Sequence, residues 1–293
     1  MNHAQSGILE STPPVARFLM FSLTGQGEAR RGLRALRDMT DGRQTVVGLG
    51  QSLVLALGAT VPGLRTSPSY AGAGLEVPST PVALWCWLRG DDRGELLHRA
   101  RRINNALAPA FRLERVIDAF TYGAGRDLTG YEDGTENPKA ERASEVAIVR
   151  GQGGGLDGSS FVAVQQWVHD LDHFEAKSPQ EQDNTIGRRR SGNDEIEDAP
   201  LSAHVKRAAQ ESFDPAAFVL RRSMPWVDGL RAGLVFVAFG ASFDAFETLL
   251  GRMVGTEDGV VDALFTFTRP ISGAFFWCPG MQDGRLDLRL LGV

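Results

Sequence analysis

The feature that most constrains this chain is a grammar of strand, crossing helix and strand that occurs twice. In the first copy, residues 82–88 read as a strand and Asp91-Asp92 as a helix start. Leu96, Ala100, Ile103 and Leu107 then form a helical stripe, and residues 111–122 read as a further strand. Asp92 followed by Glu95 fits an N-cap with its acid at N3. In the second copy, residues 234–239 read as a strand and Ser242 starts a helix with Phe243, Phe246, Leu249, Leu250 and Met253 on its apolar face. Residues 264–268 and 274–277 follow as strands. Earlier pieces complete each half. Residues 15–21 read as a strand, 27–39 as an amphipathic helix (Ala29, Leu33, Leu36, Met39), 45–57 as strand and turn, and 161–168 as a strand alternating at Val162, Val164 and Val168.

These patterns predict an α+β chain of two halves, each a largely antiparallel sheet with helices packed on it. The joint falls within 139–160, where charges give way to Gly151-Gln152-Gly153-Gly154-Gly155, so the halves are 1–145 and 146–293. A strand–helix pair occurring twice is also common in unrelated mixed folds. Pattern alone therefore leaves duplication and coincidence both open.

Composition removes several function classes. A net charge of −5 argues against a nucleic-acid surface, and the run Arg188-Arg189-Arg190 is too short to change that. The two cysteines, Cys86 and Cys278, form no local pair. They sit in apolar stretches and read as buried free thiols, which excludes a thiolate metal site built from local spacing. No basic segment followed by an apolar run opens the chain, and no apolar run approaches a membrane span, so a cytoplasmic location and no membrane partner are expected.

Of the five histidines, His3 lies in a polar lead-in expected to be disordered, and His98 reads as solvent-facing. His169 and His173 are four apart, but His169 closes a strand and no glutamate follows it in the place a zinc helix would need. His204, after an acidic stretch, can be structural or ligating. The loop 125–138 is unusual, packing four acids with three glycines and closing on Pro138. Glycines beside acids allow positive φ and close approach to a ligand, while a solvated turn stays open as the alternative. The ligand spacing of an EF-hand is absent.

The run Asp127-Leu128-Thr129-Gly130-Tyr131-Glu132-Asp133-Gly134-Thr135-Glu136-Asn137-Pro138 resembles the Gly-x-x-Asp-Gly signature of the dye-decolourising peroxidases. Three further stretches agree in order. Ile186-Gly187-Arg188 with Asn193-Asp194-Glu195 is similar to the haem-propionate arginine segment. Ser202-Ala203-His204-Val205-Lys206-Arg207 is similar to the proximal-histidine segment, and Leu220-Arg221-Arg222-Ser223-Met224-Pro225-Trp226 to the distal-arginine strand. The resemblance spans almost the whole chain and is greatest to the bacterial B-type, or P-type, members.

That resemblance implies two ferredoxin-like halves of the dimeric α+β barrel superfamily, with haem b in the second. It makes His204 the fifth iron ligand and Asp262 the acceptor fixing its other nitrogen. Asp133 and Arg221 become the catalytic pair facing peroxide, with Ser223, Leu234 and Phe236 in the distal pocket. Arg188 would pair with a propionate, while Gly130 and Gly134 shape the loop's approach to the cofactor. The implied activity is reduction of hydrogen peroxide via an oxoferryl intermediate, with oxidation of dyes, phenols or similar organic one-electron donors, by a cytoplasmic homo-oligomer. Surface aromatics, with Trp167, Trp226 and Tyr131 as candidates, would carry electrons from reductants too bulky to enter. The alternatives are a haem-handling protein that stores or delivers haem or removes its iron, and an α+β interaction domain without cofactor.

Overall fold

The computed structural model describes residues 3–72 and 75–293, at residues 26 and 27 the backbone alone. Ten antiparallel strands form one sheet, eight of which close on themselves into a barrel. In the first half, Val15–Leu23 lies between Leu84–Gly90 and Phe111–Phe120, with Thr45–Leu49 outside Leu84–Gly90. In the second, Ser160–His169 lies between Ala274–Cys278 and Arg231–Gly240, with Met224–Asp228 outside the latter. Numbered within each half, both follow the order 4-1-3-2, so the repeated grammar is a repeated topology of the ferredoxin-like kind.

The two sheets meet at seams of single residue pairs, Trp277 with Leu49 and Ala119 with Trp226. Side chains, rather than a continuous ladder, therefore close the barrel. Its interior holds Phe18, Trp85, Trp87, Phe239 and Phe276 together with alternate residues of the long strands. Phe18 stacks on both indoles, and Trp85 on Phe276.

The period of two decides what each strand gives to which side. Along Ser160–His169, Val162 and Val164 enter the barrel core, while Gln165, Trp167 and His169 line a cavity outside it. Along Arg231–Gly240, Val235, Val237 and Phe239 point inward, while Leu234 and Phe236 line the same cavity. In the first half the corresponding outer face is covered by helices Gln26–Met39 and Arg93–Leu107. Ala29, Leu33 and Leu36 of the one and Leu96, Ala100, Ile103 and Leu107 of the other are buried there. Asp92 accepts the Glu95 N–H at 2.9 Å, as its position before the stripe predicts. In the second half only Asp244–Met253 lies over the sheet as a long helix. The connection 170–219, with its short helices, stands off and leaves the cavity between.

Four expectations are corrected. Residues 264–268 are not a strand: Asp262 caps a 3₁₀ turn, Ala263–Thr266, through the Leu264 N–H, and pairing begins at Thr268. Residues 45–57 hold more than strand and turn, because a helix, Gln51–Ala56, buries Leu53 and Val54 after the strand stops at Gly50. The lead-in is ordered from His3 onward. His3 exchanges backbone bonds with Met281, and the buried Gln5 amide bonds Val47 and Pro279. Met39, placed on the apolar face of its helix, is largely exposed at the helix end. Both thiols are fully buried, and burial pushes their pKa values up.

Candidate active site

His204 opens the short helix His204–Arg207, held in place on three sides. Its Nδ1 donates to Asp262 Oδ2 at 2.8 Å, and Asp262, 1% exposed, spends its other oxygen on the Leu264 N–H. The Ala263 N–H donates to Ser202 O, tying the two segments together through their backbones. Arg207 reaches Asp258 with two nitrogens at 2.7 and 2.8 Å. That hydrogen bond, with the Val260 N–H, draws the Asp258 pKa down to about 2. On the third side Gly187 ends the helix Pro179–Ile186 with φ +89°. A Cβ there would stand 2.3 Å from Val205, so the close approach to the His204 helix requires glycine. What remains is His204 Nε2, which has no hydrogen-bond partner among the described residues and belongs to a side chain lining the cavity.

Across the cavity stands the loop 125–138. Its Asp133 Oδ1 lies 3.6 Å from Arg221 Nη1, close enough to attract but too long for a hydrogen bond. Arg221 Nε is buried and has no hydrogen-bond partner among the described residues. The pair sits where two cavities meet. Asp133, Arg221 and Leu234 line both the cavity facing His204, about 270 Å³, and a smaller one of about 180 Å³ that also contains Gly134 and Ser223. Ser223 follows a break in the strand, and its hydroxyl accepts the Val237 N–H at 3.3 Å.

Two residues given no role by the sequence reading fix this pair. Asn137 clamps the Arg221 backbone, accepting its N–H at 2.8 Å and donating to its carbonyl at 3.1 Å. Gly134, at φ +78°, leaves room for that amide, which a Cβ would meet at 2.7 Å. Arg222 is buried with no acidic partner among the described residues. Its guanidinium donates to the carbonyls of Ile8, Leu9 and Arg221, and burial lowers its pKa to about 10. The lead-in, loop and strand are thus one bonded unit.

Arg188 lines the larger cavity, but its guanidinium is already held by Glu136 at 2.7 Å and Glu195 at 3.3 Å. Gly130 lies behind the loop, where a Cβ would meet the Arg190 guanidinium at 2.5 Å. Trp167, Trp226 and Tyr131 are all buried, so the expectation of surface aromatics is corrected. Trp226 donates to the Trp167 carbonyl at 2.9 Å, and Tyr131 to Asp183 at 2.6 Å; burial, then Asp183, raises the Tyr131 pKa. His98 and His173 are exposed, and no cluster of metal-ligating side chains occurs among the described residues.

The donor set fits haem. A free imidazole nitrogen faces a cavity with apolar walls that include Leu234, Phe236, Phe246, Leu249 and Leu250, and arginines stand at its polar edges. The family model described as "Dyp-type peroxidase, C-terminal" matches residues 124–283, more than half of the chain. The chain belongs to the DyP-type peroxidase family. A dye-decolorizing peroxidase of Rhodococcus erythropolis is 28% identical, the match covering 93% of this chain and 85% of that protein. Among solved structures, a dye-decolorizing protein from V. cholerae is 27% identical with a TM-score of 0.84, covering 98% of each chain. A variant of Rhodococcus jostii DypB in complex with heme shares the fold at 24% identity and a TM-score of 0.84, covering 93% of this chain and 94% of that one. No helix among the described residues is long and apolar enough to cross a membrane.

Proposed function

We propose that the chain is a haem-dependent peroxidase that reduces hydrogen peroxide and oxidises dyes, phenols or similar one-electron donors. The observation that carries this reading is His204. Its Nδ1 is locked to a buried carboxylate and its Nε2 is left free, in one cavity with an acid and an arginine that are not bonded to each other. His204 would hold haem b through Nε2, and Arg188 and the apolar wall would hold its edge. Bound haem would supply the redox chemistry for reducing peroxide and oxidising the organic donor.

The protein's own contribution lies in protons and charge. Asp262 accepts the Nδ1 proton, which fixes the tautomer and makes Nε2 a stronger donor. Asp133 takes a proton from the near peroxide oxygen and delivers it to the far one, which leaves as water. Arg221 stabilises the negative charge gathering on that oxygen, and the 3.6 Å gap leaves both groups free to turn toward peroxide. Ser223 binds a water or peroxide in the smaller cavity, while Leu234 and Phe236 keep the larger one dry. Gly130 and Gly134 give the loop its approach.

The domains are read as 1–145, which carries the loop, and 146–293, which carries the haem; the repeated strand order supports that division. A cytoplasmic, self-associating protein completes the reading, supported by the free thiols and by Val227 and Leu230 exposed near one hairpin turn. Steady-state oxidation of a dye with peroxide tests the function. Turnover is expected from haem-loaded protein, and none between mildly acid and neutral pH would leave the haem-handling alternative.

A further inference from the structure

The cavity holds a second histidine–aspartate pair that the peroxide chemistry above does not use. His169 closes the strand Ser160–His169 in the second half, and its Nε2 meets Asp127 Oδ1 at 3.0 Å. Its Nδ1 meets Thr268 Oγ1 at 2.6 Å, on the neighbouring strand Thr268–Pro270. Asp127 is the first acid of the loop and the hub of its fold. Its other oxygen accepts the Thr129 N–H and hydroxyl at 2.8 and 2.7 Å, its own N–H donates to Tyr131 O, and its carbonyl accepts the Gly130 N–H. Burial opposes a charge on Asp127, yet the bonds from His169 and Thr129 hold its pKa below the ordinary carboxylate range.

The loop is therefore tied to the second half along its length: Asp127 to His169, Tyr131 to Asp183, Glu132 and Thr135 to Asn193, Glu136 to Arg188 and Gln210, and Asn137 to Arg221. Asp133 lies between the two Asn193 contacts, and its N–H folds back onto Gly125 O at 3.0 Å, two residues before Asp127. The first tie has a rigid partner, because the His169 ring is fixed through both nitrogens and packs beside Phe267. We propose that His169 is a positioning residue. Held between Asp127 and Thr268, it latches the loop so that Asp133 stands at the distance from Arg221 that peroxide cleavage needs. This rests on the peroxidase reading for its consequence, but not for the latch itself.

The test uses His169→Phe, which keeps ring volume and loses both bonds, and His169→Gln, whose amide N–H can still reach Asp127. In apoprotein, hydrogen exchange at the Thr129, Gly130 and Asp133 amides should quicken roughly tenfold in the Phe variant and return toward wild type in the Gln variant. In haem-loaded protein, the rate with peroxide should fall roughly tenfold or more in the Phe variant, while the KM for the organic reductant stays unchanged. Should the Phe variant not fold, Thr268→Val serves, because it removes the hydroxyl that fixes His169 Nδ1 and should speed the same exchange. Loop exchange within about twofold of wild type in the variant measured overturns the proposal. Faster exchange with an unchanged peroxide rate also overturns it. A wild type with no peroxide turnover would sink the peroxidase reading instead, and the exchange arm would still decide the latch.

Discussion

Two histidines that each hold an aspartate line one cavity, and they differ in how their second ring nitrogen is used. His204 uses one ring nitrogen on Asp262 and leaves the other free, whereas His169 has both occupied, by Asp127 and Thr268. The first is built to give a nitrogen to something the protein does not itself supply. The second is built to join two parts of the chain. A buried imidazole beside a carboxylate is thus no sign of a ligand until its second nitrogen is accounted for.

That contrast can be broken at either end. The largest effects are expected between the pairs, where peroxide reacts. Asp133→Asn and Arg221→Leu should each leave haem bound and slow the reaction with peroxide by roughly 100-fold or more, read by stopped flow. Unchanged rates in both would remove their roles. Next, Asp262→Asn should weaken haem binding by roughly 10-fold or more, because the ring loses its anionic acceptor, with titration of apoprotein as the measurement. Removing the clamp by Asn137→Ala strips two bonds from the Arg221 backbone. Denaturant unfolding should show a loss of about 1–3 kcal/mol.

The smallest effect is one of pH. The Asp127 pKa is lowered in the fold, so its stabilisation is present above the unfolded carboxylate value of about 3.9 and is lost as pH falls through the folded value. Loop amide protection should therefore weaken in acid in wild type and vary less over that range in Asp127→Asn. Equal acid sensitivity would assign the effect to other carboxylates.

The sequence disclosed the halves because each long strand carries apolar residues at a period of two and each covering helix a stripe at 3.6. It missed the helix after Gly50 and the turn after Asp262, where one capping or packing contact outweighs a short apolar run. At the site, His204, Asp133, Arg221 and Asp262 were legible through resemblance; the first three line one cavity, and Asp262 is buried against His204. His169 was weighed only as half of a zinc pair. The clue lay in its strand, where the valines at even positions mark one face and leave Gln165, Trp167 and His169 to share the other. Asn137 and Arg222 bond to backbone atoms far along the chain, and no local pattern reports that.

The central claim is that the free nitrogen of His204, and not the occupied ring of His169, holds haem. The Soret band after haem titration of His204→Ala and His169→Ala tests it most directly. The band of the first variant should collapse to that of loosely bound haem while the second keeps a wild-type band. A wild-type band in His204→Ala, or its loss only in His169→Ala, would contradict it.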